Sequence, residues 1–209
     1  MTQIIVALDV DTIKKQEDLL KSLHGVIVWY KIGLQLFTAH GKRAVDLVQS
    51  QGGKVFLDLK LHDIPQTVAY AVRAAQRLGV DAVSLHLMGG PDMVRAAADV
   101  SPRPKLWGVS VLTSMSPRDV KIFSPSARIP ALVKSLAKLG WVGGADATIC
   151  SPREVPLLRA AYPHLDMKFV TPGIRPTGAA LNEQARVMTP GQAAKLGIDF
   201  IVIGRPKTQ

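Results

Sequence analysis

The sequence has little cysteine, few aromatic residues and no long apolar run. Its single cysteine, Cys150, cannot form an internal disulfide or build a cysteine-rich metal site. A lone thiol is typical of a reducing compartment, so we expect a cytoplasmic protein. No stretch of about 18 apolar residues is present, so we expect no transmembrane helix and no membrane partner. The amino terminus lacks a basic segment and carries Asp9, so we expect no signal peptide.

Positive charge is in excess, with 26 Lys and Arg residues against 16 Asp and Glu residues and a formal net charge of +10. Such an excess can serve nucleic-acid binding. The basic residues are spread along the chain in short runs such as Lys14-Lys15, and aromatic residues make up only 5%. The sequence therefore has few aromatic side chains with which to build a surface that stacks on nucleic-acid bases. An enzyme for anionic small molecules explains the charge at least as well, and we expect no nucleic-acid partner.

Short β-branched runs alternate with longer helical patterns along the whole chain. The predicted strands cover residues 3–8, 26–30, 54–59, 81–85, 105–112, 145–150, 167–170 and 200–203. The predicted helices cover residues 11–24, 34–50, 64–78, 91–98, 129–139 and 190–196, and a further helix begins at Ser151-Pro152. Repeated βα units predict a parallel sheet, which is either doubly wound or closed into a (β/α)₈ TIM barrel.

The strand count favours the α/β barrel over the doubly wound sheet. Eight strands match a (β/α)₈ barrel, and no G-x-G-x-x-G motif follows the first strand, as a dinucleotide-binding sheet would require. No linker interrupts the chain, so we expect a single domain over residues 1–209. No helical pattern follows the eighth strand, so we expect this sequence to lack the last helix of the barrel. Residues 114–126 and 173–188 are predicted loops on the catalytic face.

Charged residues stand where the first three predicted strands end. The first strand leads to Asp9, the second to Lys31, and the third to Asp58, Lys60 and Asp63. Residues 58 and 60 share one strand face, so both should point into the barrel mouth. Buried charges must neutralise one another or a ligand. The sequence therefore predicts a charged catalytic site here, and a purely structural ion-pair network is the alternative.

Two lysines and two aspartates in this cluster would be formally neutral. Lys31, Asp58, Lys60 and Asp63 alternate in sign, an arrangement that holds the lysines protonated and the aspartates ionised. Two aspartates could also bind Mg²⁺. Because the lysines already supply the cations, we expect no metal.

The end of the chain predicts a phosphate site. An apolar strand runs into Gly204 and Arg205, which offer an accessible backbone N–H and a forked cationic donor. Phosphates bind in such barrels at the loops after the seventh and eighth strands. Gly173 and Arg175 in the preceding loop strengthen this interpretation. The alternative is an ordinary surface arginine.

Seven short motifs carry a resemblance to a known family. They lie at residues 7–9, 30–33, 57–65, 111–114, 171–176, 182–190 and 202–206. In this order along the chain they closely resemble the bacterial type of the orotidine 5′-monophosphate decarboxylase family. Sister decarboxylases and aldolases share the Asp-x-Lys-x-x-Asp pattern at 58–63. The Asp-Ile-Pro extension at 63–65 and Thr-Pro-Gly-Ile-Arg at 171–175 are typical of the orotidylate branch.

The resemblance implies a catalytic set and a homodimer. Orotidine 5′-monophosphate would be decarboxylated to uridine 5′-monophosphate without a cofactor, in pyrimidine synthesis. Lys60 would protonate C6, and Asp58 would lie against the substrate carboxylate. Lys31 would complete the charged group together with Asp63 from the partner subunit. Asp63 and Thr67 lie four residues apart, so we expect them on one face of the following helix.

The resemblance also implies the substrate contacts. Asp9 and Lys31 would bind the ribose hydroxyls. Thr113, with Ser114 as the alternative, would read the pyrimidine edge. Thr67 of the partner would lie near the ribose and phosphate.

The phosphate end of the substrate completes the implied site. Arg205 and the Gly204 backbone would bind the phosphate, with Arg175 nearby. Gln184, in a lid over residues 173–188, would bridge the phosphate and the base. Two other functions stay open at this point: a Mg²⁺-dependent sister phosphosugar decarboxylase or aldolase, and a non-catalytic nucleotide or nucleic-acid binder.

Overall fold

Eight parallel strands close into a barrel in the order of the chain. The computed structural model describes residues 2–174 and 188–204. Each strand pairs in parallel with the next, and the eighth pairs with the first. The strands are β1 Gln3–Ala7, β2 Trp29–Gly33, β3 Lys54–Leu61, β4 Ala82–His86, β5 Lys105–Val109, β6 Ala147–Ile149, β7 Phe169–Thr171 and β8 Phe200–Ile203. The predicted (β/α)₈ barrel is confirmed.

Helices fill the connections around the barrel. They are α1 Ile13–Leu23, α2 Leu34–His40, α3 Lys42–Ser50, α4 Pro65–Arg77, α5 Gly90–Ala98, α6 Pro117–Phe123, α7 Ile129–Val142, α8 Val155–Ala161 and α9 Pro190–Lys195. Short 3₁₀ turns cover Leu87–Gly89 and Pro152–Glu154. The predicted helix start at Ser151 is confirmed, because its side chain accepts a hydrogen bond from the Arg153 N–H. Among the described residues, no helix is long and apolar enough to cross a membrane.

Two predicted connections differ from the structure. The single helix predicted over 34–50 is two helices, α2 and α3, because the chain turns at Gly41 with φ of +52°. The loop predicted over 114–126 contains α6. Ser116 caps that helix, and Asp119 accepts a hydrogen bond from the Ser116 N–H at 2.8 Å. Ser116-Pro117 with an acid at Asp119 is a helix-start signal in the sequence, so the loop prediction is wrong here.

Aromatic side chains fill the amino-terminal half of the barrel interior. The ring centroids of Phe56 and Trp107 lie 4.4 Å apart, and those of Trp107 and Phe200 lie 5.0 Å apart. Trp29 packs against Trp107 at 5.5 Å. All four side chains are buried. These rings fill the interior at that end, and smaller side chains such as Ala7 and Val109 line a cavity towards the carboxyl ends of the strands.

Three Gly-x-Asp segments support the opposite end of the barrel. They precede β4, β6 and β8, and they end in Asp81, Asp146 and Asp199. Each carboxylate accepts a hydrogen bond from the backbone of the preceding strand, at Val55 N, Leu106 N and Phe169 N over 2.7–2.9 Å. These bonds satisfy amides next to the strand starts. The repeat is structural, since the amino-terminal face of such barrels serves stability.

Candidate active site

A cavity of about 410 Å³ opens at the carboxyl ends of the strands. Its volume is in the range of small-molecule sites, about 300–1,000 Å³. Its apolar floor and wall are formed by Ala7, Phe56, Val109, Val111, Ile149, Val170 and Val202. Its polar groups come from Asp9, Lys31, Asp58, Lys60, Thr113 and Ser114. Charged and hydroxyl groups therefore face an otherwise apolar chamber.

Four charged side chains form one continuous chain of ion pairs along the cavity wall. The Lys31 Nζ lies 3.2 Å from Asp9 Oδ1 and 3.7 Å from Asp58 Oδ2. The Lys60 Nζ lies 3.0 Å from both carboxylate oxygens of Asp58. The signs alternate along the chain, so the group is formally neutral. The Lys31 and Asp58 side chains are only 13% and 12% exposed, and such burial requires these partners.

Asp63 does not belong to this ion-pair chain, contrary to the prediction for a single subunit. Its side chain is exposed, and its Oδ1 accepts a hydrogen bond from the Ile64 N–H at 2.7 Å. Among residues 2–174 and 188–204, it makes no ion pair. Asp9 is the fourth charged residue of the ion-pair chain instead, through its contact with Lys31. Within one chain, the register of β1 against β2 therefore decides which carboxylate neutralises Lys31.

The predicted helical pairing of Asp63 with Thr67 is wrong. The helix α4 begins at Pro65, and Asp63 lies in the turn before it. Proline is favoured in the first turn of a helix, and the residue before it is held in an extended conformation. The four-residue spacing therefore does not run along one helix. Thr67 lies in the first turn of α4 and is exposed.

Apart from Asp9, Lys31 and Thr67, the predicted substrate-binding residues divide into two groups. Thr113, Ser114 and Gly204 line the cavity. A Cβ atom at Gly204 would lie 3.1 Å from Asp9 Oδ2, so the absence of a side chain keeps this part of the cavity open. The other predicted residues, Arg175, Gln184 and Arg205, lie outside the described residues, as does most of the predicted lid.

Two histidines beside the charged chain were not predicted as site residues. The His62 and His86 rings stack with their centroids 5.4 Å apart. The His86 Nδ1 accepts a hydrogen bond from the Met88 N–H at 3.4 Å. Burial lowers the pKa of His86, and the neighbouring His62 and Lys60 lower it further. His86 is therefore held in its neutral form next to the site.

His86 should make the folded state sensitive to acid. Its pKa is lowered on folding, so the unfolded chain binds a proton more readily below about pH 6.5. The free energy of unfolding should therefore be highest above that pH and should decrease as the pH falls below it. In His86→Gln, urea titrations between about pH 7 and pH 5 should show a smaller decline. His24→Gln, at the exposed end of α1, is the matched control, and equal slopes for the two variants would contradict the expectation.

The described residues do not form a cluster of metal ligands. Among them, no three His, Cys, Asp or Glu side chains come together. The Lys31 ammonium lies between the carboxylates of Asp9 and Asp58. The donor set on this part of the wall is therefore one of alternating charges and not of converging carboxylates.

The fold and the site together define a (β/α)₈-barrel enzyme with a charged site at the carboxyl ends of its strands. The chain belongs to the Orotidine 5′-phosphate decarboxylase / HUMPS family, whose model matches residues 2–209.

Similar proteins agree with this family. Orotidine 5′-phosphate decarboxylase of Trichlorobacter lovleyi is 43% identical over 98% of this chain and 87% of its own length. The enzyme of the same name from Opitutus terrae is 45% identical over 97% of this chain and 90% of its own length. The crystal structure of orotidine 5′-phosphate decarboxylase from Lactobacillus acidophilus is 36% identical. It superimposes with a TM-score of 0.86 and covers all of this chain and 92% of its own.

Proposed function

We propose that this protein is a carboxy-lyase that decarboxylates orotidine 5′-monophosphate to uridine 5′-monophosphate in pyrimidine synthesis. The observation that carries the proposal is the Lys60–Asp58 pair on the cavity wall. The Lys60 ammonium lies 3.0 Å from Asp58 and is one-third exposed at the cavity. Both residues belong to the Asp-x-Lys-x-x-Asp pattern, and the chain belongs to the family whose relatives are named for this reaction.

Lys60 would act at the reacting carbon without a cofactor. When the bond between C6 and the carboxylate breaks, CO₂ leaves, and the electron pair of that bond stays on C6, which becomes a carbanion. A fixed ammonium stabilises that charge as it develops, and preorganised charge of this kind is usually the largest catalytic contribution. Lys60 then donates a proton to C6 and regains one from solvent. The ion pair with Asp58, at 3.0 Å, holds the ammonium at one place on the cavity wall.

The other charged residues would hold Lys60 and the sugar. Asp58 would lie against the substrate carboxylate, where the two negative charges repel until CO₂ leaves. Lys31 bridges Asp9 and Asp58, so it would keep Asp58 in place while Lys31 and Asp9 bind the ribose hydroxyls. Thr113, with Ser114 as the alternative, would hydrogen-bond the pyrimidine edge.

The phosphate would bind at the end of β8. Gly204 lies beside Asp9, and its backbone N–H would contact the phosphate, to which Arg205 would add a forked cationic contact. Arg175 and Gln184 would close the site from the loop after β7. Phosphate binding far from C6 can drive such closure, which excludes water from the base.

We also propose a homodimer with shared active sites. Asp63 is exposed and makes no ion pair in the described part of its own chain, so its carboxylate is available to a neighbour. Thr67, in the first turn of α4, is exposed as well. Large apolar side chains on and near this helix are also exposed, namely Ile64 at 67% and Tyr70 at 58%. A two-fold interface is reciprocal, so each subunit would lend Asp63 and Thr67 to the other.

A direct assay tests the reaction. The decarboxylation of orotidine 5′-monophosphate, followed by its change in ultraviolet absorbance, should run at the same rate with and without EDTA. Added Mg²⁺ should not alter that rate. The reason is that Lys31 and Lys60 supply the cations. Lys60→Ala, purified identically, controls for host enzyme carried through purification. Loss of activity in EDTA that Mg²⁺ restores would contradict the proposal and favour a sister phosphosugar enzyme.

A single domain over residues 1–209 and a cytoplasmic location stay predictions from the sequence.

A further inference from the structure

A buried serine on β4 joins the two catalytic candidates of β3. Ser84 is completely buried in the barrel interior. Its Oγ accepts a hydrogen bond from the Lys60 N–H at 2.8 Å and donates one to Asp58 Oδ1, also at 2.8 Å. A hydroxyl has one proton to donate and lone pairs that accept, so both bonds form at once. Ser84 lies outside the seven motifs that carry the family resemblance.

The backbone at Lys60 requires such a partner. Lys60 has a φ of +51°, and among the described residues it is the only non-glycine residue with a positive φ. That conformation costs a side-chain-bearing residue about 1–2 kcal/mol. The β3–β4 register shifts here, because Leu57 pairs with Val83 and Leu61 pairs with Leu85. Between these two pairs, β3 advances by four residues while β4 advances by two. The Ser84 hydroxyl accepts the hydrogen bond of the Lys60 N–H, which a regular strand pairing would direct to a backbone carbonyl.

The same hydroxyl fixes the orientation of the Asp58 carboxylate. Asp58 receives the Lys60 ammonium on both oxygens and Lys31 on one side. Ammonium groups are compact and their stems are flexible, so these contacts alone do not set the plane of the carboxylate. The hydroxyl comes from the rigid strand β4. Ser84 therefore connects the backbone of the proton donor with the carboxylate that faces it.

We infer that Ser84 is a positioning residue for the decarboxylation, a role that rests on the proposed function. It holds the Lys60 backbone in its left-handed conformation and the Asp58 carboxylate in one orientation, so the ammonium and the carboxylate keep a fixed separation. Reacting groups that are misplaced by about 1 Å can cost about 10²-fold in rate. Substrate binding depends on the sugar and phosphate contacts, which do not involve Ser84. The loss should therefore fall on kcat and much less on KM.

Three substitutions at one site separate the hydrogen bonds from the volume. Ser84→Ala should lower kcat by about 10- to 100-fold and change KM by less than about threefold. Ser84→Cys keeps most of the volume but makes weak hydrogen bonds, so it should behave like Ser84→Ala. Ser84→Thr keeps the hydroxyl and should recover kcat to within about tenfold of wild type. If Ser84→Ala does not fold, Ser84→Cys carries the same comparison.

Ser110→Ala is the matched control. Ser110 is also completely buried, and its Oγ donates to the Ile149 carbonyl at 2.9 Å. In the described part of the protein, it makes no hydrogen bond to the charged chain. It should keep kcat within about threefold of wild type. The inference is overturned if Ser84→Ala and Ser84→Cys match Ser110→Ala in kcat, or if their loss appears in KM alone. An inactive wild type would overturn the proposed function as well, whereas an active wild type with a fully active Ser84→Ala overturns only the positioning role.

Discussion

Lys60→Ala should lower kcat by at least about 10²–10⁴-fold, the usual contribution of a positioned general acid. The substitution removes both the proton donor for C6 and the cation that stabilises the carbanion. The barrel should still fold, because Asp58 keeps Lys31 and Ser84 as partners. Steady-state decarboxylation followed by ultraviolet absorbance measures the loss. Thermal unfolding of the same preparation shows whether the protein remains folded.

Lys54→Ala is the matched control for this prediction. Lys54 lies on the same strand, β3, at its amino-terminal end, where its ammonium is 5.6 Å from the centroid of the Trp29 ring. It carries the same charge but lies away from the cavity, so its loss should leave kcat within about threefold of wild type. A Lys60→Ala variant that is folded and active within about tenfold of wild type would show that Lys60 does not donate the proton.

Mixing Lys60→Ala chains with Asp63→Ala chains should restore activity that neither variant has alone. In a mixed dimer, one site carries both substitutions. The other has an intact Lys60 and receives an intact Asp63 from its partner. Random pairing makes about half of the dimers mixed, so about a quarter of all sites should recover. The two variants are dissociated, mixed, reassembled and assayed, and mixed dimers are identified with differently tagged chains.

The control for complementation pairs Lys60→Ala with Lys31→Ala. Lys31 and Lys60 contact the same Asp58 within one chain, so every site of that mixed dimer carries a substitution. It should stay inactive. If the Asp63 mixture also stays inactive although mixed dimers form, Asp63 serves its own chain. Recovery in both mixtures would contradict the same-chain placement of Lys31.

The family and most elements of the fold could be predicted because their signals are local. Runs of β-branched residues, helix starts such as Ser151-Pro152 and the Asp-x-Lys-x-x-Asp pattern are each contained in a few residues. Eight such units imply a barrel, since a parallel strand order with short βα connections leaves few ways to close. The missed helix α6 also had a local signal. A loop is predicted there because the apolar periodicity of the segment is short.

Only the tertiary structure decided which charges meet. Sequence spacing placed Asp63 with Lys31, Asp58 and Lys60, whereas the register of β1 against β2 brings Asp9 to Lys31. Nothing in the local sequence of β4 indicates that Ser84 faces a register shift in β3, because that shift belongs to the pairing of two strands. The sequence by itself determined the chemical groups and the strand ends that carry them. Their distances depend on closure, register and the left-handed turn at Lys60, which are properties of contacts between distant residues.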